Sequence, residues 1–430
     1  MIERMRKHFP DNHRTRLLYH RIKAVCAYVC LGWRIRLCVK KTIPHIGITG
    51  TDGKTSCTLL TGHMLAALGY RVGLFSGEEL RIGDQRFPNM TKRTTLSPRS
   101  LWIRYRRMII ADVDVVVIEV SSHALTQWRV LGVPFTHGVL TNLSHEHLDY
   151  YGTMDAYASS KSLLASLVSR AAVPFFVYDP SCLPFASRQP FVHTDRCVEC
   201  QNLPYSHSLD FRGLQLTFDH QTLQIPFFHT IVLRNIAFVR HLLLSLGHTE
   251  TAIFSSLAGI APIPGRMERI IFDENRRIMI FIDFAVTPFA LKSSLCTLRP
   301  LVTGRLMLVF GCTGGNHDRS KRPLMTQVAH QFADYVIVTE DELYGEPFSS
   351  IVADMNVPPS MTICQDREQA IQMAVRDMKE GDCLIVTGMG RLPTRNTAQG
   401  EVVRSDAACI CASWQIYQQS HPSYDVSIAL

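Results

Sequence analysis

The feature that constrains this chain most is a glycine-rich segment placed between an apolar run and a helical pattern. Residues 43–50 read IPHIGITG, a buried-strand pattern, and TDGKTS follows directly. Apolar residues at helical spacing then continue through Leu68. Residues 47–55, GITGTDGKT, resemble the phosphate-binding loop motif G-x-x-x-x-G-K-[ST], with one residue more between the first glycine and Gly53-Lys54-Thr55, in the strand-to-helix context that this motif requires. The segment therefore predicts a loop that surrounds phosphate groups.

The parts of this loop have separate chemical roles. Backbone N–H groups of such a loop point at phosphate oxygens, and the N-terminus of the following helix adds favourable partial charge. Lys54 is predicted to contact the β- and γ-phosphates, and the Thr55 hydroxyl to ligate Mg²⁺. The predicted nucleotide-binding residues of the loop are Gly50, Thr51, Asp52, Gly53, Lys54, Thr55 and Ser56.

Apolar runs alternate with helical patterns around this loop. The runs at 71–75, 113–122 and 136–143 predict parallel strands, so we expect an α/β fold with a doubly wound sheet. Residues 173–228 differ, because FVYD, LQLTFD and LQIPFF are short alternating strands that predict an antiparallel appendage. After the Pro/Gly-rich residues 262–265 the α/β pattern restarts with four apolar strands, IMIFIDFA, RLMLVFG, YVIVTE and CLIVTG.

These patterns predict three parts. Residues 1–41 form a basic amphipathic helical arm, residues 42–264 a central ATP-binding domain, and residues 265–430 a second, Rossmann-like α/β domain. No apolar run reaches the roughly 18 residues that a membrane-spanning helix needs.

The positive charge of the chain is concentrated in the arm. Residues 1–41 contain 11 Lys or Arg and two acidic residues, whereas the remainder has 34 basic and 35 acidic residues. A near-neutral body argues against a nucleic-acid-binding surface, and we expect no nucleic acid partner. Leu18, Ile22, Val25 and Val29 recur at helical spacing in the arm. Such a helix packs on the first domain or makes peripheral contact with anionic lipid.

Further candidate metal ligands follow the next predicted strands. Glu119 ends the strand VVVIEV, at the edge of a parallel sheet where ligands bind, and fits a Mg²⁺ ligand. Four potential ligands occur within five positions after the next strand: His145, Glu146, His147 and Asp149. Lys161 lies in a helical run and, taken alone, is expected to be an exposed, solubilising residue.

Together these segments resemble the Mur ligases, most closely the branch that adds the third residue of the peptidoglycan stem peptide. The resemblance covers about residues 43–390, and the matching blocks occur in family order. They are GITGTDGKTS (47–56), EVSSHALTQWRV (119–130), TNLSHEHLDYYGTMDAYASSK (141–161), PGRMER (264–269), DFAVTP (283–288) and VFGCTGGNHDRSKRPLM (309–325).

The resemblance implies roles for particular residues. Lys54, His147 and Lys161 are catalytic, and Lys161 matches a lysine that becomes carbamylated, which gives it an anionic metal-binding group. Two Mg²⁺ ions are expected, with Thr55, Glu119, His147 and carbamylated Lys161 as ligands. Asn235, Arg266 and Asp283 match nucleotide contacts. Five residues match contacts to the muramyl dipeptide: Thr94, Thr95, Ser121, Gln127 and Arg129.

The implied reaction is ATP-dependent amide formation between a muramyl-peptide carboxylate (UDP-MurNAc-L-Ala-D-Glu-like) and an amino acid, through an acyl phosphate, in peptidoglycan precursor synthesis. The expected enzyme is a cytoplasmic monomer, with contact at the inner face of the membrane through residues 1–41. Two alternatives are a ligase of the same superfamily that acts on a folyl, cyanophycin-like or other peptide acid, and a catalytically weakened nucleotide-binding homologue.

The sequence departs from the family pattern in four places. We expect the usual uridine-binding first domain to be absent, with the basic arm in its place. Val286 stands where the family has a histidine. The family's D-N-P-R segment, which recognises the amino acid, corresponds to Asp341–Tyr344 here and lacks the arginine that binds the free carboxylate of diaminopimelate. The family's G-K-G-H-E segment corresponds to Gly388–Arg391. Selectivity for diaminopimelate is therefore not expected, and lysine or another amine remains open.

Overall fold

The computed structural model describes most of the chain. The described residues are 13–38, 43–89, 91, 93–168, 175–177, 197–199, 203–315, 317–391, 394–397, 400–403 and 405–421. Within them the chain divides into two compact units. The first contains the residues up to His207 together with Gln215–Ile225 and Ile231–Ile260, and the second contains Ser208–Leu214, Pro226–Thr230 and the residues from Ala261 onward.

The first unit begins with a helical arm. Helix α1 (His13–Ala27) continues through a π-helical turn (Tyr28–Gly32) into α2 (Trp33–Leu37). The inner side of the arm packs on the core of the unit through the buried Ile35 and the partly buried Tyr28 and Leu31, and Tyr19 and Ala24 are buried on the same arm. Gly32 is required at this contact, because a Cβ atom there would lie 2.5 Å from the Trp102 ring.

An eight-stranded sheet forms the centre of the first unit, in the order β4-β3-β2-β5-β1-β6-β7-β8. Strands β2, β5, β1, β6, β7 and β8 are parallel, and β3 and β4 are antiparallel to their neighbours. The strands are β1 (His45–Thr49), β2 (Val72–Phe75), β3 (Glu79–Ile82), β4 (Gln85–Pro88), β5 (Val115–Glu119), β6 (His137–Leu140), β7 (Phe175–Val177) and β8 (Cys197–Glu199).

Among the described residues, five helices lie between strands of this sheet, as expected for parallel connections, and two more follow its last strand in the chain. They are α3 (Lys54–Ala67), α4 (Pro98–Ile110), α5 (Ser122–Thr126), α6 (Leu148–Tyr151), α7 (Met154–Leu167), α8 (Ile231–Ser245) and α9 (Glu250–Ser255). All five residues of β5, VVVIE, are buried. Burying a Val or Ile side chain in this way stabilises a fold by about 1.5–3 kcal/mol, so β5 is a firm support for the residues at its carboxyl end.

The predicted appendage is smaller than residues 173–228. LQLTFD and LQIPFF lie in a three-stranded sheet formed by β9 (Ser206–Asp210), β10 (Gly213–Phe218) and β11 (Gln221–Ile225). The assignment of FVYD to the appendage is wrong, because Phe175–Val177 pairs in parallel with β6 of the central sheet. Its short, apolar sequence is equally suited to a buried parallel strand.

The second unit contains a six-stranded sheet in the order β12-β13-β17-β14-β15-β16, parallel except for β12. Its strands are β12 (Glu268–Asp273), β13 (Ile278–Asp283), β14 (Leu306–Phe310), β15 (Tyr335–Val338), β16 (Thr362–Ile363) and β17 (Cys383–Thr387), with the hairpin β18 (Thr394–Thr397) and β19 (Gly400–Val403). Its helices are α10 (Pro288–Leu298), a 3₁₀ turn (Arg299–Leu301), α11 (Lys321–Phe332), α12 (Phe348–Met355), α13 (Arg367–Arg376) and α14 (Asp406–Ser420). The predicted α/β fold class is confirmed in both units.

Candidate functional site

The phosphate-binding loop lies at the carboxyl end of β1, between the ends of β5 and β6. The register places Ile48 beside Glu119 and Thr49 beside Leu140. Gly50 leaves the strand with φ 145°, and a Cβ atom there would lie 1.8 Å from Thr141 Oγ1. Only glycine fits this position, because both the backbone angle and the space exclude a side chain.

The loop is held in shape by the segment that follows β6. The Thr51 and Asp52 amides donate to the Asn142 carbonyl and to Asn142 Oδ1, at 3.0 and 2.9 Å. Thr141 Oγ1 donates to the Asp52 carbonyl at 2.7 Å, and Ser144 Oγ donates to Asp52 Oδ2 at 3.0 Å. The loop is therefore preorganised by its own chain. The Lys54 ammonium donates to the Thr51 carbonyl at 2.6 Å.

Glu119 and Thr55 form the oxygen-rich part of the site. Thr55 Oγ1 donates to Glu119 Oε1 at 2.8 Å, and the Gly77 amide donates to Glu119 Oε2 at 2.6 Å. Glu119 is only 1% exposed. A carboxylate beside a hydroxyl at the entrance to a phosphate loop is a donor set that Mg²⁺ prefers, so these residues fit the expected ion.

Lys161 lies directly under the loop and is not a solvated residue. It is 1% exposed, its ammonium donates to the Gly50 carbonyl at 2.5 Å, and it lies 4.3 Å from the centre of the Tyr157 ring. The expectation of an exposed lysine is wrong, because α7 turns this side of the helix towards the sheet. Burial, with a smaller contribution from the nearby Lys54 charge, holds the pKa of Lys161 well below its usual value.

His147 lies at the edge of the same site in the left-handed conformation, with φ 56°. Its ring packs edge-on against that of His123, with 4.8 Å between the centroids. Burial lowers the pKa of His147, and burial followed by the neighbouring His147 lowers the pKa of His123 to about 3. Both rings are therefore neutral at physiological pH, the form in which imidazole binds a metal ion.

His123 was not among the predicted site residues. The signal for it was present in the block EVSSHALTQWRV, but a single histidine in a short helix does not reveal that its ring contacts His147. Among the described residues, no three His, Cys, Asp or Glu side chains are grouped closely enough to hold a metal ion by themselves. The predicted ligand set thus depends on the Thr55 hydroxyl and on the state of Lys161.

Four of the five residues predicted to contact the muramyl dipeptide form one hydrogen-bonded cluster beside Glu119. Thr95 Oγ1 donates to the Glu119 carbonyl and accepts from the Ser121 amide, both at 2.9 Å. Arg129 donates to Thr95 O at 3.2 Å and to Gln127 Oε1 at 2.7 and 3.0 Å. Burial lowers the pKa of Arg129 to about 10, which still leaves a cation at neutral pH.

Thr94, the fifth of these residues, lies beside Gly77: a Cβ atom on that glycine would be 3.8 Å from the Thr94 Cα and 3.6 Å from Glu119 Oε2. The same neighbourhood contains the inner side of the arm. Arg21 Nε donates to the Thr126 carbonyl at 3.0 Å, and its guanidinium lies 4.6 Å from the centre of the Trp128 ring. The arm therefore supports the chain segment that carries Gln127 and Arg129.

Asn235, predicted to contact the nucleotide, faces the loop from α8. A Cβ atom at Gly53 would lie 3.3 Å from Asn235 Oδ1. Asn235 is buried, and its Nδ2 has no hydrogen-bond partner within the part of the chain that the structure describes. Because a buried donor without an acceptor is costly, this atom is well placed to bind a ligand.

Arg266 and Asp283, the other two predicted nucleotide contacts, belong to the second unit. Asp283 accepts from the Met267 and Phe284 amides at 3.1 and 2.8 Å and from Ser294 Oγ at 2.6 Å. The Arg266 guanidinium lies 4.3 Å from the centre of the Phe284 ring. Both residues are thus anchored at the carboxyl end of β13.

The fold and the loop define a nucleotide-dependent α/β enzyme, and comparison with known proteins narrows the class. Residues 48–190 match the Mur ligase middle domain, and residues 265–390 match the domain described as Mur ligase, glutamate ligase domain. The chain belongs to the Mur ligase family, as the sequence motifs predicted. It is an ATP-dependent, amide-bond-forming ligase, and ATP and Mg²⁺ are the cofactors of its family.

Two curated relatives illustrate the similarity. The UDP-N-acetylmuramoyl-L-alanyl-D-glutamate–2,6-diaminopimelate ligase of Geobacillus kaustophilus is 33% identical over 372 residues, which cover 80% of this chain and 73% of the relative. The enzyme of the same name from Synechocystis is 34% identical over 370 residues, covering 81% of this chain and 71% of the relative.

Solved structures agree with this placement. A UDP-N-acetylmuramoyl-L-alanyl-D-glutamate–2,6-diaminopimelate ligase matches with a TM-score of 0.56 and 26% identity, covering 89% of this chain and 80% of the other. Mycobacterium tuberculosis folylpolyglutamate synthase, complexed with ADP and AMPPCP, matches with a TM-score of 0.66 and 17% identity, covering 86% and 92%. The second likeness concerns the fold alone. No helix in the described ranges is long and apolar enough to cross a membrane.

Proposed function

We propose that this chain joins an amino acid to the free carboxylate of a UDP-MurNAc-L-Ala-D-Glu-like muramyl peptide, in the synthesis of peptidoglycan precursors. The observation that carries the proposal is the convergence of the phosphate loop, Glu119 and the Thr95–Arg129 cluster at one edge of the sheet. The nucleotide phosphates and the acid substrate are therefore expected to bind next to each other. The 2,6-diaminopimelate ligases among the relatives act on a substrate of this class.

The residues suit an acyl-phosphate route. A carboxylate does not react with an amine without activation, so the γ-phosphoryl group of ATP is first transferred to it, the amine attacks the acyl phosphate, and phosphate leaves. Lys54 and the N-terminus of α3 neutralise charge on the phosphates, and Arg129 orients the carboxylate. Bound at Thr55 and Glu119, Mg²⁺ would supply further neutralisation of the transferring group.

Lys161 is proposed to act as its carbamate. Burial lowers the pKa of Lys161 and so favours the neutral amine, the form that attacks CO₂. The new N–C bond makes R–NH–COO⁻, and one proton is released. The product places an anion next to the loop, where Mg²⁺ is expected. His147 would complete the second metal site together with Glu119.

Turnover with different substrates tests the function. Phosphate release should require ATP, UDP-MurNAc-L-Ala-D-Glu and an amino acid together. Mass spectrometry should show a product with the summed mass of the UDP-MurNAc-dipeptide and the amino acid minus one water, while ATP is converted to ADP and phosphate. Release that instead depends on a folyl or other peptide acid would favour the related ligases. Nucleotide binding without turnover on any acid and amine would indicate a binding homologue.

We propose that the part of the second unit that selects the amino acid recognises a positively charged group on it. Asp341, which follows β15, is buried. Its Oδ1 accepts from the Glu342 amide at 2.6 Å, whereas Oδ2 has no hydrogen-bond partner among the described residues. A Cβ atom at Gly388 would lie 2.0 Å from that oxygen, so only glycine leaves room for it. An unpaired carboxylate oxygen, without the arginine of the family pattern, favours an ammonium group over a second carboxylate.

In a panel of amino acids we therefore expect lysine to be used at least about tenfold more efficiently than diaminopimelate, measured as kcat/KM. Asp341→Asn should lower kcat/KM for lysine and leave the KM for ATP unchanged. Asp366→Asn, which alters a helix-capping carboxylate of the same unit, is the matched control. Preference for diaminopimelate in the unaltered protein would contradict the proposal.

We also infer that the enzyme is a cytoplasmic monomer that makes peripheral contact with the inner face of the membrane through residues 1–41. The concentration of positive charge in this segment supports that placement.

A further inference from the structure

The arm has an outer side that the fold of its unit does not use. Five large apolar residues on it are between 40% and 75% exposed: Leu18, Val25, Val29, Trp33 and Leu37. They follow one another at helical spacing along α1, the π-helical turn and α2. The predicted apolar stripe thus points largely to solvent, while Tyr19, Ala24 and Ile35 are buried. A second apolar stripe on an already packed helix indicates a further partner.

Helix α4 extends this surface. It lies beside the arm, with Trp102 packed against Tyr28 at 5.8 Å between ring centroids. Both helices bury one side in the same core. On its outer side α4 exposes Ile103 by 46% and Ile110 by 71%. We define the docking face as the five exposed apolar residues of the arm together with these two isoleucines.

The charged residues within the two segments that carry the docking face, apart from the histidines, have one sign. Residues 13–38 contain six Lys or Arg, and α4 contains four Arg, with no acidic residue in either segment. Arg14, Arg34, Arg36, Arg106 and Arg107 are exposed. Helical segments that combine exposed apolar side chains with arginines and no acidic residue are complementary to a surface that has negative groups above an apolar layer.

We infer that the docking face binds anionic phospholipid bilayers, with the helices lying in the plane of the interface. The apolar side chains would enter the acyl region, Trp33 would sit at headgroup depth, and the arginines would reach the lipid phosphates. A nucleic acid would pair its phosphates with the arginines but would leave the apolar residues in water. It would therefore account for the charge of the docking face but not for its exposed apolar side chains. The inference extends the peripheral contact proposed for residues 1–41 to α4, and it does not depend on the ligase reaction.

Deleting the arm is not a clean test. Its inner side covers Trp102 and holds the Thr126 carbonyl through Arg21, so deletion would disturb the core and the substrate segment as well. Substitutions confined to the outer side avoid this problem. Val29→Glu combined with Ile110→Glu places one negative charge on the arm and one on α4. Leu244→Glu introduces the same change at an exposed leucine of α8 outside the docking face.

The experiment is co-sedimentation of the full chain with vesicles of phosphatidylcholine, with or without phosphatidylglycerol. We expect binding only to the anionic vesicles, weakened by salt, and reduced at least about tenfold by the double substitution. Leu244→Glu should bind as the unaltered protein does. Ligase activity measured without vesicles reports whether each variant is folded, and it separates failure of this inference from failure of the proposed function.

Three results would overturn the inference. They are equal binding to vesicles without phosphatidylglycerol, unchanged binding of a double variant that keeps its thermal stability, and binding to homopolymeric RNA but not to anionic vesicles. If the double variant does not fold, Ile110→Glu alone is used, since this residue is 71% exposed at the end of α4.

Discussion

Replacing Lys161 by alanine is expected to lower the rate of amide formation about a thousandfold. Lys161 lies under the phosphate loop, where its amine donates to the Gly50 carbonyl, and burial lowers its pKa. As a carbamate it would place an anion where metal and phosphate charge meet, and alanine removes that anion entirely. The measurement is product formation under saturating ATP, acid and amine, with thermal unfolding recorded in parallel.

Two further outcomes are expected only if Lys161 acts as a carbamate. Acetate or propionate, added to Lys161→Ala, should restore part of the rate because a small carboxylate can occupy the vacated space. The unaltered protein should show a carbamate carbon signal in ¹³C NMR after exposure to ¹³CO₂, and the variant should lack it. Ser162→Ala, on the next residue of the same helix, serves as the control. A variant at Lys161 with unimpaired activity would refute the role.

Glu119→Gln is expected to reduce the rate at least about a hundredfold and to move the Mg²⁺ dependence to higher concentration. Glutamine keeps the shape of the side chain but removes the negative charge that faces Thr55 and the loop. The Thr55 hydroxyl can rotate to accept from the new amide, so the fold should tolerate the change. Steady-state rates over a Mg²⁺ titration provide the measurement.

Asp114→Asn makes the same chemical change just before the other end of β5, where the carboxylate accepts from the Arg71 amide. It should leave both the rate and the Mg²⁺ dependence nearly unaltered. Equal effects of the two substitutions would mean that Glu119 acts through the stability of the strand and not through the ion.

The parts of the site that could be predicted from sequence are those in which local pattern and chemistry coincide. The phosphate loop needs a strand, a glycine turn and a helix in succession, and all three are visible between residues 43 and 68. The placement of Glu119 beside the loop follows from the rule that parallel strands end at one edge. The family resemblance then linked Lys161 and the Thr95–Arg129 cluster to the same edge.

What could not be predicted depends on contacts between distant parts of the chain. Periodicity shows that Lys161 lies on a helix but not that this side of α7 faces the sheet, so its burial was missed. The contact of His123 with His147 joins a short helix to a residue 24 positions further along the sequence. Helical spacing identified the apolar residues of the arm, yet it could not show that smaller and aromatic residues on the other side make the packing contact.

The positions of the tryptophans allow the arm and the substrate segment to be followed by fluorescence. Of the four in the chain, Trp33 lies on the outer side of α2, and Trp128 lies half-exposed beneath Arg21 beside the substrate segment. Trp102 and Trp414 are buried. The emission of Trp33 should therefore respond to the polarity outside the molecule, and that of Trp128 to changes around Arg129. With single Trp→Phe replacements, the protein supplies its own unlabelled fluorescence reporters for surface attachment and for substrate occupancy.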